Sequence, residues 1–135
     1  MSSFVLDASM ALGWILDKPI PPRASQVRQR LRQTVALVPS LWHYEVTNVL
    51  VMARRTRHIT EAEFASLLED IEAWKNFVSV EPVVRPRQLA EIAQGTGLTV
   101  YEAAYIEVAL RHRLPLATLD KELEVAARKA GVNLL

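Results

Sequence analysis

Residues 4–16 read FVLDASMALGWIL, and this stretch gives the first indication of the fold of the chain. An apolar run from Phe4 to Leu6 is followed directly by Asp7 and then by small and apolar residues at helical spacing. A buried strand that ends at an acidic residue and is followed by a helix is a common arrangement in parallel sheets. The acid then lies at the edge of the sheet that the carboxyl ends of the strands form. The stretch therefore predicts an α/β protein with Asp7 at that edge.

Composition narrows the class of protein. The chain has 135 residues, of which 50% are hydrophobic and 23% are charged, and we predict a single globular domain over residues 1–135. No apolar run reaches the roughly 18 residues of a membrane span and no leader pattern opens the sequence, so we expect a cytoplasmic protein without a membrane partner. Because cysteine is absent, disulfides and thiolate metal sites are excluded. A net charge of +1 does not by itself indicate a nucleic-acid partner.

Strand and helix patterns alternate along the chain. We predict strands at residues 4–6, 35–38, 77–84, 114–119 and 132–135. The predicted helices cover residues 8–16, 23–33, 41–57, 60–75, 86–95, 99–113 and 121–130. Strands joined by helical crossovers form a parallel sheet that is covered on both faces. The sequence therefore predicts a three-layer α/β/α sandwich around a five-stranded parallel sheet.

Two aspartates directly follow predicted strands. Asp7 follows the first strand and Asp120 follows the fourth, so both are expected at the same edge of the sheet. Each of them also precedes a helix, where an aspartate is an ordinary N-cap. The pattern leaves a capping role and a chemical role open for both residues.

Two glutamates lie on the apolar faces of predicted helices. Glu45 borders the stripe that contains Trp42 and Val49, where burying an unpaired carboxylate is costly. We therefore expect Glu45 to reach solvent or a cation. Glu102 shares a helix face with Ile106, but it also completes a T-x-x-E pattern that is typical of a capping box. Both capping and ligand binding are open for Glu102.

A cluster of carboxylates at one edge of a sheet requires a neutralising cation, because like charges otherwise raise one another's pKa. Mg²⁺ and Mn²⁺ prefer oxygen ligands and usually keep several waters. Such an ion activates a water and stabilises the leaving oxygen of a phosphoryl displacement. We therefore predict a metal-dependent phosphodiester hydrolase whose metal ligands and catalytic residues are Asp7, Glu45, Glu102 and Asp120.

Two other chemistries that use an acid at a strand end do not fit the chain. A phosphatase with an aspartyl nucleophile usually has a second aspartate two residues later, where this chain has Ser9. A receiver domain has its phosphoacceptor aspartate after the third strand, where this chain has Val84 and Arg85. Both classes are therefore excluded.

A resemblance to a known family rests on four segments: VLDASMALGWIL, PSLWHYEVTNVL, LTVYEAAYIEVA and LPLATLDKEL. In this order and at this spacing they resemble the PIN-domain ribonucleases, and among these the VapC-type toxins of toxin–antitoxin pairs. The resemblance covers essentially the whole chain. It implies a five-stranded parallel sheet with helices on both sides and an acidic pocket that binds Mg²⁺ or Mn²⁺ for RNA cleavage.

The resemblance also implies roles for single residues. The acids of the pocket would be Asp7, Glu45 and Asp120, with supporting polar groups on Ser9, Asn48 and Thr118. The third acid differs, because the family generally has aspartate in a Y-D-A sequence and this chain has Glu102. Glutamate keeps the charge but adds a methylene group. The alternative is therefore a PIN-like module that binds RNA or a protein without cleaving it.

Partners are implied by the same resemblance. VapC-type proteins resemble one another in forming homodimers and in being inhibited by a small antitoxin. The antitoxin covers the acidic pocket with a basic segment. We therefore expect RNA as the substrate, a small cognate antitoxin as a protein partner, and a homodimer.

Overall fold

The computed structural model of the chain describes residues 2–135. Within these residues there are four strands: β1 (Phe4–Leu6), β2 (Ala36–Pro39), β3 (Val78–Glu81) and β4 (Leu116–Ala117). All of the strand pairs are parallel, and the order in the sheet is β3-β2-β1-β4. β1 therefore lies inside the sheet, between β2 and β4.

The described residues also form the seven helices that the sequence predicts, with ends that differ by a turn or less. They are α1 (Ala8–Ile15), α2 (Pro22–Arg30), α3 (Leu41–Arg55), α4 (Glu61–Ala73), α5 (Pro86–Thr96), α6 (Val100–His112) and α7 (Lys121–Lys129). A short 3₁₀ helix, Trp74–Asn76, follows α4. None of the described helices combines the length and hydrophobicity that a bilayer crossing requires.

Local sequence explains where the helices begin and end. Asp7 and Asp120 are the N-caps of α1 and α7, and capping boxes open α4 and α6. Pro22 and Pro86 open α2 and α5, at positions where the N–H group has no partner within a helix. Gly97 caps the C-terminus of α5, and its φ of 78° is a left-handed conformation that glycine adopts without strain.

Helices cover both faces of the sheet. β1, β2 and β4 are buried at every position. Successive side chains of a strand point to opposite faces, so strands of this kind need cover on both sides. α6 packs against β1 and β2, while α3 contacts β2 and buries Trp42, Val46 and Leu50 along one stripe. The arrangement agrees with the predicted three-layer α/β/α sandwich.

The sheet has four strands within the described residues, so the prediction of a fifth strand at residues 132–135 is wrong. Leu134 instead forms one isolated parallel bridge with Leu116. Two main-chain hydrogen bonds of 2.9 Å hold it, from the Leu116 N–H to the Asn133 carbonyl and from the Leu135 N–H to the Leu116 carbonyl. Pairing does not continue past this bridge, because the next carbonyl on each side, of Thr118 and of Leu135, accepts the Arg23 guanidinium instead.

β3 and β4 are also shorter than predicted. β3 stops at Glu81, because Pro82 has no N–H to continue the ladder. β4 stops at Ala117, because the main-chain carbonyl of Thr118 accepts the Arg23 guanidinium and not the N–H of a neighbouring strand. Because β4 ends early, Thr118 lies beyond the carboxyl end of the strand, whereas the predicted strand at residues 114–119 would include it.

Candidate active site

The strand order changes direction between β1 and β4. From β1 the chain continues to β2 and β3 on one side of the sheet and then returns to β4 on the other side. In open parallel sheets, ligands bind beyond the carboxyl ends of the strands at such a switch point. Asp7 directly follows β1, and Thr118 and Asp120 follow β4, so three polar side chains lie at this point.

Asp7 is buried, with 4% of its surface exposed, and hydrogen bonds hold both of its carboxylate oxygens. Oδ1 accepts the N–H of Met10 at 2.9 Å, which is the N-cap bond of α1. The Ser9 hydroxyl lies 2.8 Å from Oδ1 and 2.9 Å from Oδ2, and the Thr118 hydroxyl donates to Oδ2. The capping alternative for Asp7 is therefore confirmed, and the side chain is fixed in one orientation.

The hydroxyls of Ser9 and Thr118 join the ends of β1 and β4. Their oxygens are 3.2 Å apart. Ser9 Oγ accepts the N–H of Leu119 at 2.9 Å, and Thr118 Oγ1 accepts the N–H of Asp120 at 3.0 Å. Two residues to which the resemblance gives supporting roles thus lie in direct contact with Asp7.

Burial changes the acidity of Asp7. It raises the pKa of the Asp7 carboxyl from 3.8 to about 6, against the opposing hydrogen bonds from Thr118, Met10 and Ser9. The negative charge of Asp120 raises the pKa further. At neutral pH the carboxylate is therefore ionised at a cost in free energy, which a nearby cation would offset.

Glu45 and Glu102 form a second region of negative charge. Glu45 lies half-buried on α3, and the hydroxyl of Tyr105 on α6 donates a hydrogen bond to its Oε1. Burial raises the pKa of Glu45, the hydrogen bond from Tyr105 lowers it, and the charge of Glu102 raises it. Asn48, one turn further along α3, is exposed and lines the same surface groove as Glu45.

Glu102 completes a capping box, as one of its two predicted roles requires. Its Oε1 accepts the N–H of Thr99 at 3.1 Å and the Thr99 hydroxyl at 2.9 Å. The Thr99 hydroxyl in turn accepts the N–H of Glu102 at 3.2 Å. Glu102 Oε2 has no hydrogen-bond partner among residues 2–135, so capping engages only half of the carboxylate.

The three less buried acids share one pattern of hydrogen bonding. Asp120 caps α7 by accepting the N–H of Leu123 on Oδ1 at 3.1 Å, and Glu45 accepts Tyr105 on Oε1. In Asp120, Glu45 and Glu102 alike, the second carboxylate oxygen is without a protein partner in the part of the chain that the structure describes. A capping role and a ligand role are therefore compatible in one side chain.

Comparison with known proteins identifies the family. The family model described as PIN domain matches residues 4–129. The chain belongs to the PIN domain family. Among solved structures, it is similar to PAE2754 from Pyrobaculum aerophilum, with a TM-score of 0.70 and 20% identity over 96% of this chain and 89% of that chain.

A second similar structure is FitAcB from Neisseria gonorrhoeae, with a TM-score of 0.70 and 16% identity over 98% of this chain and 96% of that chain. At these identities both structures show a common fold and nothing finer. Comparison with curated protein sequences gives no significant match.

The four acids of the candidate site in this PIN domain form two pairs. Asp7 interacts electrostatically with Asp120, and Glu45 with Glu102. Within residues 2–135, no three acidic, histidine or cysteine side chains are close enough to form a cation site by themselves. Mg²⁺, however, is commonly bound by one or two carboxylates and keeps several waters. The unbonded carboxylate oxygens are hard ligands, so their chemistry fits a hydrated Mg²⁺ or Mn²⁺ ion.

Tyr105 is a residue of this PIN domain site that the sequence patterns did not single out. It is 3% exposed. Burial raises the pKa of its hydroxyl, and so do its hydrogen bond to Glu45 and the charges of Glu45 and Asp7. The hydroxyl therefore contacts one acid, Glu45, and is influenced by the charge of a second, Asp7. One signal was present in the sequence, because a buried tyrosine on an apolar helix face usually needs a hydrogen-bond partner.

Arg23 supports the site from α2. Its guanidinium donates to the Thr118 carbonyl at 2.9 Å and forms an ion pair with Glu124 at 2.9 Å. The contact holds the end of β4, from which the Thr118 hydroxyl reaches Asp7. No local pattern could reveal it, because Arg23 and Thr118 are 95 positions apart in the sequence.

Proposed function

We propose that this PIN domain is an Mg²⁺- or Mn²⁺-dependent endoribonuclease that hydrolyses RNA phosphodiester bonds as the toxin of a toxin–antitoxin pair, with residues 1–135 as one domain. The observation that carries the proposal is the meeting of Asp7 and Asp120 at the switch point of a PIN fold. The proposed metal ligands and catalytic residues are Asp7, Glu45, Glu102 and Asp120, supported by Ser9, Asn48 and Thr118.

The protein's contribution to catalysis would be to hold the acids in place. A bound divalent ion supplies an activated water and stabilises the leaving oxygen of the phosphodiester. Hydrogen bonds from Ser9, Thr118 and Met10 fix Asp7, and the helix caps fix Asp120 and Glu102 through one oxygen each. Groups that are fixed before the substrate binds need little reorganisation during the reaction.

The same acids explain the proposed partners. A site with two pairs of carboxylates attracts cationic groups, so a basic segment of a small antitoxin could bind there and exclude RNA. RNA itself carries phosphates that the acids repel, which is a further reason to expect a cation between them. We propose that the protein acts as a homodimer in the cytoplasm, as the resemblance to VapC-type toxins suggests.

One observation favours a second candidate function, a PIN module that binds RNA or a protein without cleaving it. Glu102 replaces the aspartate that the family generally has at this position, and its Oε1 is engaged in capping α6. If the cap fixes the carboxylate too far from the other acids, the site cannot complete a catalytic metal centre. The two candidates differ in whether RNA is cut.

Cleavage assays with purified protein test the proposed function. A panel of structured RNAs should be cut at defined positions with Mn²⁺ or Mg²⁺, and a chelator should stop the reaction. If the protein retains the RNAs on a filter but leaves them intact with either ion, the binding module is the correct function.

Glu102→Gln separates the capping role from the metal role. Glutamine keeps the oxygen that caps α6, but its NH₂ group takes the place of the free oxygen, and the hydrogens of that group repel a cation. We expect the midpoint of urea unfolding to change little and the cleavage rate at saturating Mn²⁺ to fall at least tenfold.

Glu63→Gln is the matched control, because Glu63 occupies the same position in the capping box of α4, with Thr60. This substitution should leave cleavage unchanged. Equal activity of the two variants would limit Glu102 to capping and leave three acids in the working site.

A further inference from the structure

Tyr105 places its hydroxyl group on Glu45, within electrostatic range of Asp7. The hydroxyl donates to Glu45 Oε1, and its pKa responds to the charge of Asp7 as well as to that of Glu45. The ring is buried in the hydrophobic core, so it fixes the position of the oxygen. A rigid neutral donor therefore lies among the charges of the site.

Glu45 needs such a donor to hold a defined orientation. Its side chain is half-buried on α3, and no other described residue donates a hydrogen bond to it. A glutamate has three rotatable side-chain bonds, so without a partner its carboxylate would turn toward bulk water. The Tyr105 bond engages Oε1 and leaves Oε2 unbonded, which is the arrangement that a metal ligand requires.

We propose that Tyr105 is a positioning residue that orients the Glu45 carboxylate for the divalent cation. The inference rests on the proposed metal-dependent function. A group that donates a hydrogen bond to a metal-binding side chain, without touching the metal, fixes the orientation of that side chain. Loss of such a group typically weakens metal binding by 10- to 100-fold. Tyr105 meets this description because its hydroxyl is neutral, buried and bonded to one oxygen of the ligand only.

A purely structural role for Tyr105 makes a different prediction. The ring would fill the core equally well as phenylalanine, because its packing involves carbon atoms. If packing were its whole role, loss of the hydroxyl would leave metal binding unchanged. Metal affinity, and not stability, therefore distinguishes the two roles.

The test is Tyr105→Phe in the full chain, with Mn²⁺ binding followed by the electron paramagnetic resonance signal of the free ion. We expect the variant to keep the wild-type circular dichroism spectrum and to bind Mn²⁺ about tenfold more weakly. Cleavage should need correspondingly more Mn²⁺. Tyr101→Phe is the matched control on the same helix, because Tyr101 is 70% exposed, and it should bind Mn²⁺ as the wild type does.

A double-mutant cycle of Tyr105→Phe with Glu45→Gln is a second test of the positioning role, because it measures whether the effect of Tyr105 on Mn²⁺ binding depends on Glu45. If Tyr105 acts through Glu45, adding Tyr105→Phe to Glu45→Gln should weaken Mn²⁺ binding no further. Unchanged affinity of Tyr105→Phe, or a full tenfold loss in both backgrounds, would overturn the positioning role while leaving the proposed function in place. A wild-type protein that binds no Mn²⁺ would overturn both.

Discussion

Asp7→Asn is expected to abolish RNA cleavage and, in metal-free buffer, to make the protein more stable at neutral pH. Activity should be lost because the amide removes the most buried acid of the proposed metal site. Stability should rise because Asp7 pays a burial penalty when it ionises, whereas asparagine has no charge to bury. The asparagine carbonyl can still accept the Met10 N–H, and its amide can donate to the Thr118 hydroxyl.

The sign of this effect follows from the pKa of Asp7. The folded-state pKa of about 6 lies above the ordinary 3.8, so the folded protein binds more protons than the unfolded chain between these values. Asp7 therefore lowers stability progressively as pH rises through this window. Above pH 6 the penalty is complete, and a pKa difference of this size corresponds to at most about 3 kcal/mol. The gain from Asp7→Asn should disappear below about pH 4.

Urea unfolding at pH 4 and pH 7.5 in the presence of a chelator measures this difference. Asp70→Asn serves as the control, because Asp70 is exposed on α4 and should change little at either pH. A variant that cuts RNA at the wild-type rate would remove Asp7 from the catalytic site. A variant that is less stable than the wild type at pH 7.5 would contradict the burial argument.

Mn²⁺ is expected to raise the melting temperature of the wild-type protein. An ion that binds the folded state alone stabilises it by mass action, by about 2.7 kcal/mol at one hundred times the dissociation constant. The effect should weaken as pH falls below about 6, because protons then compete with the ion for Asp7. Asp7→Asn should lose most of the stabilisation at every pH.

Thermal scans at increasing Mn²⁺ concentration, with Ca²⁺ and Na⁺ at matched ionic strength, provide the measurement. Coincident scans with and without millimolar Mn²⁺ would mean that the carboxylates do not form a metal site. An equal rise in wild type and Asp7→Asn would place the ion elsewhere on the protein.

The order of strands and helices could be predicted from sequence because its signals are local. Apolar runs such as Phe4 to Leu6 predict the strands, and prolines and capping boxes predict the helix starts. The fifth strand was predicted wrongly because its apolar pattern at residues 132–135 says nothing about Arg23, which occupies the carbonyls of Thr118 and Leu135 where pairing would continue. Strand pairing depends on both partners, and only one of them was visible in that pattern.

The meeting of Asp7 and Asp120 could also be anticipated, because parallel strands bring their carboxyl ends to one edge. The hydrogen bond from Tyr105 could not, because its acceptor Glu45 lies on another helix, 60 positions away in the sequence. Capping and ligand binding looked like competing roles for Glu102. The structure shows that one carboxylate oxygen serves the cap while the other is unbonded within residues 2–135, which no sequence pattern expresses.

The most direct test of the proposed metal site is an anomalous difference map from crystals grown with Mn²⁺. We expect a peak at the switch point between β1 and β4, at coordination distance from an Asp7 or Asp120 oxygen, with waters completing the shell. The peak should be absent from crystals of Asp7→Asn grown in the same way. A map without a peak at these carboxylates in the wild type, at saturating Mn²⁺, would contradict a metal site at this edge of the sheet.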